Sequence, residues 1–222
     1  MYCDRRRCFF AVLFYLILSN VVWSVEKPNF VWVVSEDNSK HFLKLFDEHG
    51  AETPAIRKLA AHGLIFERAF SNSPVCSVAR STLISGCYAP RIGVEFHRKV
   101  RQVAMPDGLK MFPAYLRDAG YYTTNNSKED YNLKKSRGVW NQSSHRATWR
   151  NRKEGQPFFH VQNFGTTHES SLHFRENDIS AKKTATDPAS VFVPPYHPST
   201  KTFRYTYARY HDRIQQVDRQ IG

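Results

Sequence analysis

Two short apolar runs constrain this chain most: Asn29 to Ser35 (Asn-Phe-Val-Trp-Val-Val-Ser) and Phe158 to Phe164 (Phe-Phe-His-Val-Gln-Asn-Phe). Each is short, rich in β-branched or aromatic residues, and runs directly into a polar cluster, so each reads as a strand, the first of them buried and parallel. The clusters are Glu36-Asp37-Asn38 and Gly165-Thr166-Thr167-His168. Parallel neighbours need crossover connections, and helical patterns lie between the runs. Thr53-Pro54 reads as an N-cap with proline in the first turn; Ile56, Leu59 and Ala60 give an apolar face, and Gly63 the stop. A second helix follows Cys76 and stops at Gly86, and a third is marked by Leu109, Phe112, Leu116 and Gly120. Tyr207, Tyr210, Ile214, Val217 and Ile221 describe an amphipathic helix at the end.

Leu64-Ile65-Phe66 and Tyr121 to Thr124 read as further strands. Residues 134–156 are polar and irregular, and the four prolines between residues 176 and 200 mark a long loop. The expected class is α/β, with a mostly parallel central sheet covered by helices. Ligands of such sheets gather outside the carboxyl ends of the strands.

The chain has 222 residues, 41% hydrophobic and 23% charged, enough for one sizeable core and the beginning of a second unit. Its net charge of +12 favours anionic partners. The basic residues are scattered, with no zinc-finger spacing, Walker loop or Rossmann glycine string, so nucleic acid is not an expected partner. Residues 1–25 read as a signal peptide or N-terminal anchor: Arg5-Arg6-Arg7, an apolar Phe9 to Leu18, then polar breaks. The chain is therefore expected to be secreted or periplasmic, with membrane attachment only if this segment stays uncleaved. Beyond it only Cys76 and Cys87 remain, free to pair or to stay reduced. Asn125-Asn126-Ser127 and Asn141-Gln142-Ser143 match the glycosylation sequon.

Several residues with chemical potential fall in strand-end positions. Cys76 precedes a helix with Arg80 one turn in; helix amides there favour an anion or a thiolate, though a buried structural cysteine gives the same pattern. Glu36 and Asp37 suit a hard cation such as calcium, or are simply solvated acids. Lys128 and His168 sit where a cation and a proton carrier would serve an anionic ester.

In this order the segments resemble the N-terminal part of the type I sulfatases of the alkaline-phosphatase-like superfamily. The resemblance runs over roughly residues 28 to 222. It rests on Pro28-Asn29-Phe30-Val31-Trp32 with Glu36-Asp37, the Thr53-Pro54 helix, and Phe66-Glu67-Arg68-Ala69-Phe70 leading to Pro74-Val75-Cys76. It continues through Arg80 to Ser85-Gly86, Tyr115 to Tyr121, Lys128, and Pro157-Phe158-Phe159 with His168. The resemblance implies that Cys76 is oxidised to formylglycine by a formylglycine-generating enzyme that reads the segment as an unfolded peptide. The hydrated aldehyde would attack the sulfur of a sulfate ester. It further implies catalytic roles for Cys76, Arg80, Lys128 and His168, a Ca2+ held by Glu36, Asp37 and position 76, and a substrate that is a sulfated carbohydrate or other sulfate ester.

This chain departs from the family pattern in several places. Val78 stands where the motif usually has proline, Glu36 replaces the first acid of an Asp-Asp pair, and Asp130 replaces a histidine after Lys128. The later metal ligands, a later lysine and a C-terminal domain of the family do not occur within these residues. The expectation is thus the N-terminal part of a sulfatase catalytic domain over residues 26–222, an incomplete fragment of a truncated fold. The alternative is an inactive sulfatase-like protein that binds sulfated polysaccharide. A phosphate-ester hydrolase of the superfamily would instead carry Thr or Ser at position 76.

Overall fold

The computed structural model describes residues 26–98 and 101–222. The export segment expected at residues 1–25, with Cys3 and Cys8, lies outside them. Among the described residues no helix is long and apolar enough to cross a membrane.

Four strands form one parallel sheet: β1 (Phe30–Ser35), β2 (Tyr122–Asn126), β3 (Gln142–Ser143) and β4 (Phe158–Phe164), in the order β1-β4-β2-β3. The apolar Phe158–Phe164 run takes an inner position, because its residues can be covered on both faces while both edges are paired. Its register sets the ends of its neighbours: Ser35 aligns with Phe164, and Asn126 with Gln162. The segments after β1, β2 and β4 therefore leave the sheet at one rim.

The expectation of a buried first strand needs correction. β1 is an edge strand, and Val31 and Val33 are 58% and 40% exposed. Leu64-Ile65-Phe66 is not a strand; it has no ladder partner, and Leu64 and Phe66 are exposed. Apolar composition records a tendency to be covered, but a strand also needs a neighbour's backbone. Conversely, the irregular stretch 134–156 contains β3, held to β2 by Asn141 N–H donating to Thr123 O (2.9 Å) and Ser144 N–H to Asn125 O (3.1 Å). The first sequon is closed by this arrangement: Asn125 is 1% exposed and donates its side-chain N–H to Ser143 Oγ. The 176–200 loop carries one short helical turn, named below.

Among the described residues the sheet is accompanied by six α-helices: α1 (Pro54–Ala60), α2 (Cys76–Ser85), α3 (Ala89–Ile92), α4 (Phe112–Asp118), α5 (Asp178–Ala181) and α6 (Lys201–Ile221). α2 stops at Gly86, whose φ of 70° is a left-handed value that glycine adopts without a Cβ penalty. Val78 and Ile84 of α2 bury against Val94, Met111, Leu133 and Val139. The last helix buries Tyr207, Tyr210, Ile214 and Val217, the stripe expected from their spacing.

α1 shows how distant parts of the chain are joined. Thr53 does not cap it through its side chain. The buried Asp218 of α6 does so instead, accepting N–H from Ala55 (3.1 Å) and Ile56 (2.9 Å). Leu59 points outward, against the expected apolar face. The Asp218→Ala variant removes both acceptors and is expected to lower unfolding stability by about 2 kcal/mol, measured by urea denaturation. A loss of only a few tenths would mean that water caps α1 equally well.

Candidate active site

The carboxyl rim of the sheet is organised by one carboxylate. Glu36 directly follows β1; its N–H extends the ladder by donating to Phe164 O (3.2 Å), and its carbonyl accepts from Thr167 Oγ1 (2.5 Å). These bonds turn the side chain inward, where it is 4% exposed. Arg80 donates Nη2–H to one carboxylate oxygen, and Lys128 donates from Nζ to the other at 2.5 Å. A buried carboxylate needs such partners, since leaving water unpaired costs several kcal/mol.

Arg80 is fixed further by Nη1–H to Lys128 O (3.0 Å) and Nη2–H to Asn163 Oδ1 (2.9 Å). Asn163 in turn donates to Asn125 Oδ1 (3.0 Å) and Asn126 O (3.1 Å), linking the ends of β4 and β2. The α2 guanidinium is thus tied to β1, β4 and the loop after β2.

Asp37 has φ 46°, a left-handed value uncommon for a non-glycine residue. Its carbonyl accepts from the Tyr210 hydroxyl (2.5 Å), and its Oδ2 accepts from Glu169 N–H (2.8 Å). Burial first, and the Asp37 charge second, push the Tyr210 phenol far above its ordinary value, which keeps it a hydrogen donor. Asp37 Oδ1 lies 3.8 Å from Cys76 Sγ, and Oδ2 lies 3.8 Å from His168 Nε2. His168 Nδ1 meets Ser170 N–H (3.3 Å) and Ser170 Oγ (2.9 Å), contacts that hold the ring with Nε2 on the Asp37 side.

Cys76 is the first residue of α2, and no side chain caps that terminus. The positive end of a ten-residue helix therefore opens at the cysteine and favours negative charge there. Cys76 and Cys87 are both free thiols.

The six residues expected from the sequence, Glu36, Asp37, Cys76, Arg80, Lys128 and His168, thus meet at one rim. Sequence reading missed Asn163, Thr167 and Tyr210, which hold them. Asn163 had a visible signal, an amide near the end of an apolar strand. Tyr210 had none, because it was counted as a core residue of α6. Asp130 does not stand in for the histidine it replaces; its carboxylate pairs with Arg98 at 3.3 Å.

Among the described residues, one ligand atom each from Glu36, Cys76 and His168 lie within 4.8 Å of one another, a cluster able to hold a metal. The carboxylates of Glu36 and Asp37 suit a hard cation, while six to eight oxygens is the usual calcium complement. These donors fit one side of a cation site. Glu36 is paired with both Arg80 and Lys128, whereas Asp37 faces Cys76 and His168; a divalent ion would add positive charge beside position 76.

Glu36→Gln keeps the shape of this hub but leaves Arg80 and Lys128 without a counter-charge. The expected destabilisation is about 3 kcal/mol by chemical denaturation. Unchanged stability would show that water already shields the two cations.

The sulfatase family model matches residues 28–171, more than half of the chain. The chain is 30% identical over 238 aligned residues to an ulvan-active sulfatase of Formosa agariphila, covering 89% of this chain and 40% of that protein. The chain thus spans less than half the length of this curated relative. A solved 2-O GAG sulfatase superposes with a TM-score of 0.63 at 15% identity, over 88% of this chain and 53% of the other. The phosphonate monoester hydrolase of Agrobacterium radiobacter superposes with a TM-score of 0.60 at 16% identity, over 88% and 58%. At such identities the superpositions speak for the fold alone, the parallel α/β architecture of the alkaline-phosphatase-like sulfatases. With the family match over most of the described sheet and its rim, the chain is a member of the sulfatase family.

Proposed function

We propose that the protein to which this chain belongs hydrolyses sulfate esters of a carbohydrate, using a formylglycine made from Cys76. The observation that carries this reading is the placement of Cys76 at the open N-terminus of α2, 3.8 Å from Asp37, beside the Arg80–Glu36–Lys128 cluster. A hydrated aldehyde at position 76 would supply the attacking hydroxyl, and Ca2+ held by Glu36, Asp37 and position 76 would polarise a sulfate oxygen.

The other residues have roles that follow from their geometry. Arg80 cannot deprotonate and is held on several sides, so it provides fixed positive charge beside position 76 without reorganisation. Lys128 has a flexible stem and one carboxylate partner, so it can turn from Glu36 towards an arriving sulfate oxygen. His168 turns Nε2 to the Asp37 side, from where it would donate to a developing negative charge. Asp37 is positioned by Tyr210 and Glu169 to face both Cys76 and His168.

The sulfated-glycan substrate draws support from relatives named for ulvan and GAG activity. The phosphonate hydrolase shares the fold, so the fold alone does not choose the ester class, and the reading rests on the rim residues. Export, the formylglycine-generating enzyme as maturation partner, and the assignment of residues 26–222 to the front of a catalytic domain belong to the same reading.

The first test is peptide mass spectrometry of protein recovered from its native host. The Cys76 peptide should be lighter by about 18 Da, sulfur and two hydrogens having been replaced by one oxygen. Only unmodified or disulfide-linked Cys76 would instead favour the non-catalytic, glycan-binding alternative. Cys76→Ala in that protein should reduce sulfate release from sulfated polysaccharide by about 10³-fold or more; undiminished release would remove Cys76 from the mechanism.

A further inference from the structure

Three non-glycine residues of the described chain have positive φ: Asp37 at 46°, Arg98 at 46° and Asp130 at 49°. Asp37 belongs to the site above, and the other two form an ion pair at its border. Holding such residues in the left-handed region costs on the order of 1–3 kcal/mol each, and the cost is tolerated where the surroundings fix the conformation.

The fixing is visible. Arg98 N–H donates to Ser77 Oγ (2.9 Å), and the same hydroxyl meets His97 Nδ1 (3.0 Å). Ser77 is fully buried and directly follows Cys76, so the His97-Arg98 backbone is pinned to the start of α2. Arg98 donates from Nε and Nη2 to the two carboxylate oxygens of Asp130, each at 3.3 Å. Asp130 lies two residues beyond Lys128, on the loop that also supplies a carbonyl to Arg80.

The pair is asymmetric. The Asp130 side chain is 17% exposed and the Arg98 side chain 58% exposed, so the carboxylate is tucked under the guanidinium. Among the described residues, two of the five guanidinium N–H groups serve Asp130, on a side chain that is largely exposed. The hydrogen bonds it donates to Asp130 hold Arg98 firmly in its charged form, and a negative charge on Cys76 would add to this. An exposed ion pair contributes little to stability, so the fold alone gives no reason for such a constrained one.

We propose that Arg98, gripped by Asp130, reads a second anionic group on the substrate, a sugar carboxylate or a second sulfate next to the ester held at position 76. The assignment rests on the sulfate-ester reading of the site. Arg80 and Lys128 are committed to Glu36 and the reacting ester, whereas Arg98 offers a planar donor edge that matches carboxylate and sulfate oxygens. Asp130 thereby acquires a positioning role: it holds the guanidinium that makes this contact.

Two measurements test the assignment, both on the full chain with Cys76 left as a thiol. The first compares alkylation of Cys76 by anionic iodoacetate and neutral iodoacetamide, resolved by peptide mapping, with Cys87 as internal reference. The rate ratio cancels changes in thiolate fraction and reports the local field. Arg98→Ala should lower the iodoacetate preference at Cys76 by about three- to tenfold, leave the ratio at Cys87 unmoved, and be largely rescued in Arg98→Lys. An unchanged ratio at Cys76 overturns the assignment.

The second measurement is calorimetric binding of three disaccharides: one carrying a single sulfate, one a sulfate and a carboxylate, and one two sulfates. The parent chain should prefer the doubly anionic ligands by about tenfold, and Arg98→Ala should bring that preference towards one. Which of the two doubly anionic sugars loses more identifies the group read. A preference that survives in Arg98→Ala sinks the role of Arg98 alone. A parent chain that binds none of the three sinks the sulfate-ester reading together with it. The Ser77 hydrogen bond comes from the Arg98 backbone, so it persists in every variant.

Discussion

Everything at the carboxyl rim depends on one buried carboxylate. Glu36 has backbone bonds to β4 and to the turn after it, and side-chain bonds to α2 and to the loop after β2. It is therefore a structural joint and a charge reservoir together. Low local dielectric makes each of these contacts strong and makes any missing one expensive. The extra methylene of glutamate over aspartate has a visible use here, since it lets a single side chain reach a guanidinium and an ammonium that arrive from different elements.

This arrangement also bears on how a sulfatase fold is used. A phosphonate hydrolase and a GAG sulfatase superpose on the same chain with nearly equal scores, so the sheet by itself does not choose a chemistry. On the reading proposed above, chemistry would be carried by a few rim residues and selectivity by what borders them. At that border Asp130, two residues beyond Lys128, is paired with Arg98 from the 97–98 turn.

The sheet was legible to the extent that it depends on local pattern. Phe158–Phe164, the Tyr121 region and the stripe of α6 all formed where their periodicity placed them. What failed required knowledge of neighbours. Leu64-Ile65-Phe66 is as apolar as a strand but lacks a ladder partner, and β1 lies at an edge although its sequence reads as interior. β3 is only two residues long and polar, so it carries no signal apart from its pairing with β2. The same distinction holds at the rim. Charged residues at strand ends announce themselves, whereas Tyr210 and Asp218 act across 173 and 163 residues of sequence and look like ordinary helix positions.

The reach of these contacts has a temporal meaning. The Arg80 side chain is completed by Asn163, made 83 residues later. At translation speeds of about 5–20 residues per second, that gap corresponds to roughly 4–17 s. During this interval the Cys76 segment has emerged without the β4 amide that locks its helix to the sheet. On the formylglycine reading proposed above, a modifying enzyme that needs an extended peptide would meet a window set by the order of synthesis, closing when β4 pairs with β1. The topology would then work as a timer: inserting β4, the last-made of the described strands, between its neighbours both assembles the rim and ends the period in which Cys76 lies open to change.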